Sequence, residues 1–304
     1  MKGIAATILI LFSSFSFSQI ERIEPPNWWV GFNNNRLELL VKGENIIDYQ
    51  VKLDHPGVSI KSINKAHSKN YIFINLEIDK KTTPGEIDLN FVSKSGKEYN
   101  YKYKLDKRRN IQDQSIGFDI SDVVYLITPD RFSNGDKTND AFQSLREKTI
   151  DRQNTYARHG GDLRGIINSL DYLKNMGYTS LWLNPVLIND MEIYSYHGYA
   201  TTDYYRVDPR FGTNAEYIEL ANKASEKGIK IIKDIIVNHS GLYHWWMDDP
   251  PFNDWINNQK IYQNAKSMED FEKNIIYSNH RRTTHQDIYA SDYDSKGMTD
   301  GWFV

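Results

Sequence analysis

Val123-Val124-Tyr125-Leu126-Ile127 is an unbroken apolar run, and it divides the chain into two patterns. Upstream, from Ile20 to about Arg109, apolar residues recur at every second position. Ile72, Ile74, Leu76 and Ile78 alternate with Tyr71, Phe73, Asn75 and Glu77. Ile87, Leu89 and Phe91 lead to a Lys94-Ser95-Gly96-Lys97 turn, and Tyr99, Tyr101, Tyr103 and Leu105 leave it. Short alternating strands separated by turns predict a β-sandwich. Downstream the pattern changes. The 123–127 run is expected to be a strand buried on both faces. Ile166, Leu170 and Leu173 have helical spacing, with Gly177 as terminator, and Ser180-Leu181-Trp182-Leu183 reads as a second buried strand. Thr213-Asn214-Ala215-Glu216 is a capping box that opens a helix ended by Gly228, and Ile229 to Val237 reads as a third strand. The order βαβαβ implies a parallel sheet.

The chain has 304 residues, room for about two domains of roughly 150 residues each. Its 37 Lys+Arg against 40 Asp+Glu leave a net charge of −3, without the basic excess of a nucleic-acid binder. Cysteine is absent, which excludes disulfides, thiolate nucleophiles and Cys-bound metal centres. Lys2, the apolar run Ile4 to Phe12 and Ser16-Phe17-Ser18 predict an export signal cut before Gln19. That run is shorter than the roughly 20 residues of a membrane-spanning helix, and no later segment is apolar enough to cross a bilayer. The expected division is a signal peptide over 1–18, a sandwich over 19–112 and an α/β region over 113–304. A small inserted domain is expected from about residue 240.

The αβ turns after Gly177 and Gly228 are very short, whereas the connections that leave the strands are long: about 35, about 30 and over 60 residues. Connections of that length are usually functional, and these leave the carboxyl ends of parallel strands, where α/β folds place their sites. The first carries Asn134, Asp136, Asn139 and Asp140, with Gly160-Gly161-Asp162 following. Oxygen donors at that density suit a hard cation, though they also suit ordinary Asn-Gly and Asp turns. The second carries Tyr194, Tyr196, His197, Gly198 and Tyr199; the third strand ends in Asp234-Ile235-Ile236-Val237-Asn238-His239. Trp245 and Trp246, like Trp28 and Trp29, either stack on a ligand or fill a core.

Together these pieces resemble the α-amylase family of glycoside hydrolases. Val123-Val124-Tyr125 through Asp130-Arg131-Phe132-Ser133-Asn134-Gly135-Asp136 looks like the family's first strand and loop. His159-Gly160-Gly161-Asp162-Leu163-Arg164-Gly165, Tyr196-His197-Gly198-Tyr199 and the 234–239 segment match three further signatures. The N-terminal region with Pro25-Pro26-Asn27-Trp28-Trp29 resembles the neopullulanase and cyclomaltodextrinase branch. The resemblance implies an immunoglobulin-like sandwich followed by the first part of a (β/α)8 TIM barrel. It implies Ca2+ bound by Asn134, Asp136, Asn139, Asp140, the Gly160 carbonyl and Asp162. It also implies sugar contacts from His197, Tyr199 and His239, an arginine oriented by Asp234, and a second-calcium role for Asn238 in classical amylases.

Family members carry their catalytic Asp, Glu and Asp on strands four, five and seven. Asp119 to Val304 is 186 residues against about 250 for a complete barrel. No residue here matches the carboxyl pair, about 5–5.5 Å apart, that retaining cleavage needs. No catalytic residue is therefore named, and the polypeptide as written is expected to be inert. The expected function is the amino-terminal part of an exported hydrolase cleaving α-1,4-glucosidic bonds of starch-derived glucans, cyclodextrins or pullulan. The alternatives are a non-catalytic α-glucan-binding protein and a transglycosylase of the same fold. A doubly wound nucleotide binder is distant, because no Gly-rich phosphate turn follows a strand. The partner is an α-glucan, not nucleic acid or membrane, and a homodimer through the N-terminal domain is left open.

Overall fold

The computed structural model describes residues 20–108, 117–237 and 239–256, together with Asn264, Ser267, Asp270, Lys273, Trp302 and Phe303. The expected signal peptide, the linker after Arg108, Asn238 and most of the region after 256 lie outside the described residues. The chain divides into two units, 1–108 and 109–304.

In the first unit, alternating residues build two four-stranded sheets. One holds β1 (Ile20–Glu24), β3 (Arg36–Gly43), β6 (Tyr71–Ile78) and β5 (Val58–Lys65), in the order β1-β3-β6-β5. The other holds β2 (Asn27–Val30), β8 (Glu98–Lys107), β7 (Gly85–Val92) and β4 (Gln50–Leu53), in the order β2-β8-β7-β4. The chain changes sheets at Pro25-Pro26, where the Glu24–Pro25 peptide is cis. Leu39, Val41, Ile74, Leu76, Ile87, Leu89, Phe91 and Tyr103 fill the space between the sheets. Tyr71 and Phe73, on the opposite face of β6, are also buried, so this strand is covered on both sides. The turn at Gly96 has φ +83, a backbone setting that glycine adopts without a Cβ clash. Trp28 packs against the core, while Trp29 faces solvent.

In the second unit, β9 (Val124–Ile127), β10 (Ser180–Leu183) and β13 (Lys230–Lys233) form a parallel sheet in the order β13-β10-β9; α1 (Pro129–Phe132) follows β9, and β11 (Leu187–Ile188) and β12 (Asp203–Val207) pair with each other. Tyr125, Ile127, Leu181, Leu183 and Ile231 pack with Leu163, Ile166, Leu170, Leu173, Leu220 and Ala224 from the helices. The expectation that these strands are buried on both faces is corrected. Val124 is 42% exposed, Leu126 54% and Trp182 41%, because helices cover one face of the sheet. The single helix expected before Gly177 is two, α2 (Leu163–Asn168) and α3 (Leu170–Asn175). They part at Ser169, whose hydroxyl donates to the Gly165 carbonyl at 2.8 Å, a back-bond that bends helices. The third strand is also shorter than expected, ending at Lys233. Its partner β10 stops at Leu183, and Asn184 turns its N–H to the Ile127 carbonyl ahead of Pro185, which has no N–H to continue the ladder. The capping box is present at Thr213 and Glu216 and opens α4 (Asn214–Glu226). No described helix is long and apolar enough to cross a membrane.

Candidate functional site

The connection after β9 is organised by two buried carboxylates. Pro129 starts a one-turn helix, and Asp130 within it accepts the backbone N–H of His159 at 2.8 Å and of Gly160 at 3.2 Å. Asp162 caps α2 through Gly165 N–H at 2.6 Å and also accepts from Asp136 N–H at 2.8 Å and Gly135 N–H at 3.1 Å. Asp162 thus meets three backbone donors, and the Asn139 amide nitrogen lies 3.5 Å from its Oδ2. Asp136 is committed to Thr138, whose hydroxyl donates at 2.6 Å and whose N–H donates at 2.9 Å; these bonds lower its pKa.

The other expected cation ligands are drawn together. Asn134 donates from Nδ2 to Asp140 Oδ1 at 2.6 Å. Gly160 sits against both, with φ +85, and a Cβ there would lie 2.6 Å from Asp140 Oδ1. The buried amide oxygens of Asn134 and Asn139 have no hydrogen-bond donor among the described residues. Among the described residues no three His, Asp or Glu side chains group as a metal site, so a cation here needs amide and carbonyl oxygens in addition to carboxylate. Two orphaned buried acceptors beside one carboxylate and a carbonyl-bearing glycine turn fit a hard cation.

The second cluster lies where the connections leave β10 and β13. Tyr194 and Gly198, both at positive φ, flank a short 3-10 turn over Ser195–His197. Any Cβ at Gly198 would collide with the Pro185 carbonyl, so glycine is required. Tyr199 N–H donates to His197 Nδ1 at 2.9 Å, which places the imidazole proton on Nε2. Tyr199 O–H donates to Asp234 Oδ2 at 3.1 Å, and Trp182 Nε1–H reaches the same oxygen at 3.2 Å. Burial, and then the neighbouring Asp234 carboxylate, push the Tyr199 phenol up to about 12, so it stays a donor. His239 Nε2 donates to the Tyr199 carbonyl at 3.1 Å. His197, Tyr199, Asp234 and His239 therefore form one group. Among the described residues the side-chain bonds of Asp234 go to Tyr199 and Trp182, not to an arginine.

Burial holds the His239 pKa down to about 3, so the imidazole is neutral in the folded protein at neutral pH. The unfolded chain takes up this proton first as pH falls through about 6.5, so His239's contribution is present above that value. It is lost as pH drops toward 3, by at most about 1.4 kcal/mol per pH unit. Melting curves between pH 7.5 and 5 should fall more steeply for wild type than for His239→Gln; parallel slopes would remove His239 from the account.

Several residues that shape this region were not singled out from sequence. Asp208 and Arg210 form a fully buried two-point pair at 2.9 and 2.7 Å. Arg158 is buried over the Phe211 ring, and Glu147 and Asn189 bond to Ser195. The available signal was the position of Arg158 directly before His159-Gly160-Gly161-Asp162. A lone arginine in a loop otherwise reads as solvated. Trp245 and Trp246 pack with His244, Phe252 and Trp255, with Trp246 at 4.2 Å from His244 and edge-on to Trp255 at 5.4 Å. Their contacts are those of a small aromatic core.

Comparison with known proteins places this geometry. Residues 22–109 match the family model described as cyclomaltodextrinase, N-terminal, and residues 126–289 match the α-amylase catalytic domain. The chain belongs to the α-amylase family of glycoside hydrolases. It is 42% identical over 141 residues to a cyclomaltodextrinase of Thermoanaerobacter pseudethanolicus, covering 45% of this chain and 22% of that protein. It is 47% identical over 118 residues to a β/α-amylase of Paenibacillus polymyxa, covering 39% of this chain and 10% of that protein. An Anoxybacillus α-amylase structure aligns with a TM-score of 0.42 at 39% identity, covering 49% of this chain and 31% of that one. The chain spans roughly a tenth to a quarter of the length of the curated relatives it matches. Within this α-amylase-family chain, the 134–162 and 194–239 clusters both fall inside the catalytic-domain match.

Proposed function

We propose that the whole protein is an exported hydrolase of α-1,4-glucosidic bonds in starch-derived glucans, cyclodextrins or pullulan, acting with retention. The observation that carries this reading is the convergence of His197, Tyr199, Asp234 and His239 at the carboxyl ends of β10 and β13. The Tyr199 ring offers an apolar face to a pyranose, and Asp234 fixes that ring by its hydroxyl. His197 carries its proton on Nε2, the tautomer able to donate to a sugar hydroxyl. Neutral His239 holds the Tyr199 backbone, so it supports the stacking surface from behind. The export reading rests on the apolar run 4–12.

The test is kinetic, on the enzyme carrying these residues with maltoheptaose as substrate. Tyr199→Ala should lose about tenfold or more in kcat/KM, with both parameters impaired, because stacking acts in ground and transition state alike. His239→Ala should impair both parameters in the same sense but less, because His239 acts through the Tyr199 backbone. Near-normal turnover in both variants would reduce the cluster to packing. Product analysis separates the hydrolase from a transglycosylase, and binding without turnover would leave a glucan-binding protein.

Calcium is proposed at the loop after β9, held by the side-chain oxygens of Asn134, Asn139 and Asp140 and the Gly160 carbonyl. Asp136 and Asp162 shape the backbone around it. When bound, the ion would supply charge neutralisation and tie the 134–140 segment to the Gly160 turn. A chelator should then lower the melting temperature. The linkage is about 2.7 kcal/mol at a free calcium concentration 100 times the Kd. Asp140→Ala should abolish that response. Identical melting curves for wild type with and without chelator would reject the site.

A further inference from the structure

Ser195, in the connection after β10, is held by side chains from two separate connections. Its N–H donates to Glu147 Oε2 at 2.9 Å, and its carbonyl accepts from Asn189 Nδ2 at 3.2 Å. Arg158 Nη1 lies 3.4 Å from both the Ser195 carbonyl and its hydroxyl. The backbone on either side is set in the left-handed region, Tyr194 at φ +60 and Gly198 at φ +83. A bulky residue keeps a positive φ only where its surroundings over-determine it. The turn so held carries His197 and delivers Tyr199.

Arg158 itself is an expensive anchor. It is 1% exposed, lies over Phe211 at 4.5 Å, and its Nε and Nη2 have no hydrogen-bond partner among the described residues. Its charge is met by Asp130 at 3.7 Å, the same carboxylate that holds the His159 and Gly160 N–H groups. Replacing a whole buried ion pair by apolar side chains of similar volume is often neutral or stabilising, so stability alone does not explain a buried guanidinium and its carboxylate here. Geometry does: the rigid planar fork reaches Ser195 with one nitrogen while another faces Asp130.

We infer that Arg158 is a positioning residue for the sugar-binding turn, setting Ser195, and through it His197 and Tyr199, against the Asp130–Gly160 segment. It touches no substrate. The inference deepens the glucan reading above and rests on it.

Hydrogen exchange on the 304-residue chain tests it, comparing wild type, Arg158→Lys and Arg158→Met. Both variants should accelerate exchange at amides 195–199 by about tenfold or more, while α4 (Asn214–Glu226) stays within about twofold. Lysine should not rescue, because it lacks the fork. Exchange at 195–199 that rises only in step with α4, or full rescue by lysine, overturns the proposal. If the Arg158 variants do not fold, Glu147→Ala releases Ser195 N–H from the other side and must accelerate the same amides; no change there also overturns it. In the glucan arm, run on the whole enzyme that carries these residues, excess maltoheptaose should slow exchange at 195–199 in wild type. Absence of that protection, with the Arg158 effect intact, counts against the glucan reading and leaves the positioning role standing.

Discussion

Arg210→Met is expected to destabilise the unit containing residues 109–304 by about 3–5 kcal/mol, the cost of stranding one member of a buried ion pair. Both side chains are fully buried and share two hydrogen bonds, at 2.9 and 2.7 Å. Burial alone would raise the Asp208 pKa, but the Arg210 bonds outweigh it and hold the carboxylate below its ordinary value. Burial would likewise lower the Arg210 pKa, and Asp208 more than reverses that. Removing the guanidinium therefore leaves a buried carboxylate with only the Asn189 and Arg210 backbone N–H groups as hydrogen-bond donors among the described residues. It also strips donors from the Glu147 carbonyl at 3.0 Å and the Asn189 carbonyl at 2.8 Å. Urea unfolding followed by tryptophan fluorescence measures the loss. The double variant Asp208→Leu/Arg210→Met should recover part of it, because both charges go together. A single-variant loss under about 1 kcal/mol would show that the pair is effectively solvated.

Asp162→Ala should cost about 3 kcal/mol or more, from a lost helix cap and the backbone donors it leaves unmet. Gly135, Asp136 and Gly165 all present N–H groups to this carboxylate, and the residue is completely buried. Asp162→Asn retains one acceptor oxygen and should fall between wild type and Ala. The loss should persist in chelator, because it arises from hydrogen bonds within the protein. A loss that appears only with calcium present would assign Asp162 to the ion instead. Urea midpoints for the three proteins, each with and without chelator, settle this.

Much of this architecture could be read directly from residue patterns, because local rules govern it. Period-two alternation through Ile72–Ile78 and Ile87–Phe91 specifies strands with one apolar face, and those faces are the sandwich core. Thr213 and Glu216 satisfy each other's backbone groups whatever surrounds them, so the start of α4 was visible at a spacing of three. Positive φ at Gly177 and Gly228 follows from the terminators expected there. The break at Ser169 was less legible, since a serine hydroxyl bends a helix only when it turns back on the carbonyl four residues earlier.

The candidate sites divide in the same way. The presence of oxygen donors after β9, and of His197, Tyr199, Asp234 and His239 at strand ends, follows from sequence order alone, since parallel βα units deliver their connections to one face. Which donors converge does not. Asp136 and Asp162 look equivalent to Asn134 and Asp140 in the sequence, yet backbone N–H groups brought in by folding claim the first pair. Asp234 meets Tyr199 and Trp182 across 35 and 52 positions of chain, and Arg158 meets Ser195 across 37. Sequence by itself determined the two-unit division, the strand and helix types and the loops that hold the candidate residues, because these depend on neighbours within a turn or a pleat. Tertiary structure alone decided the partner of each buried charge, because a carboxylate or guanidinium deprived of water takes whichever complementary group packing brings within about 3 Å.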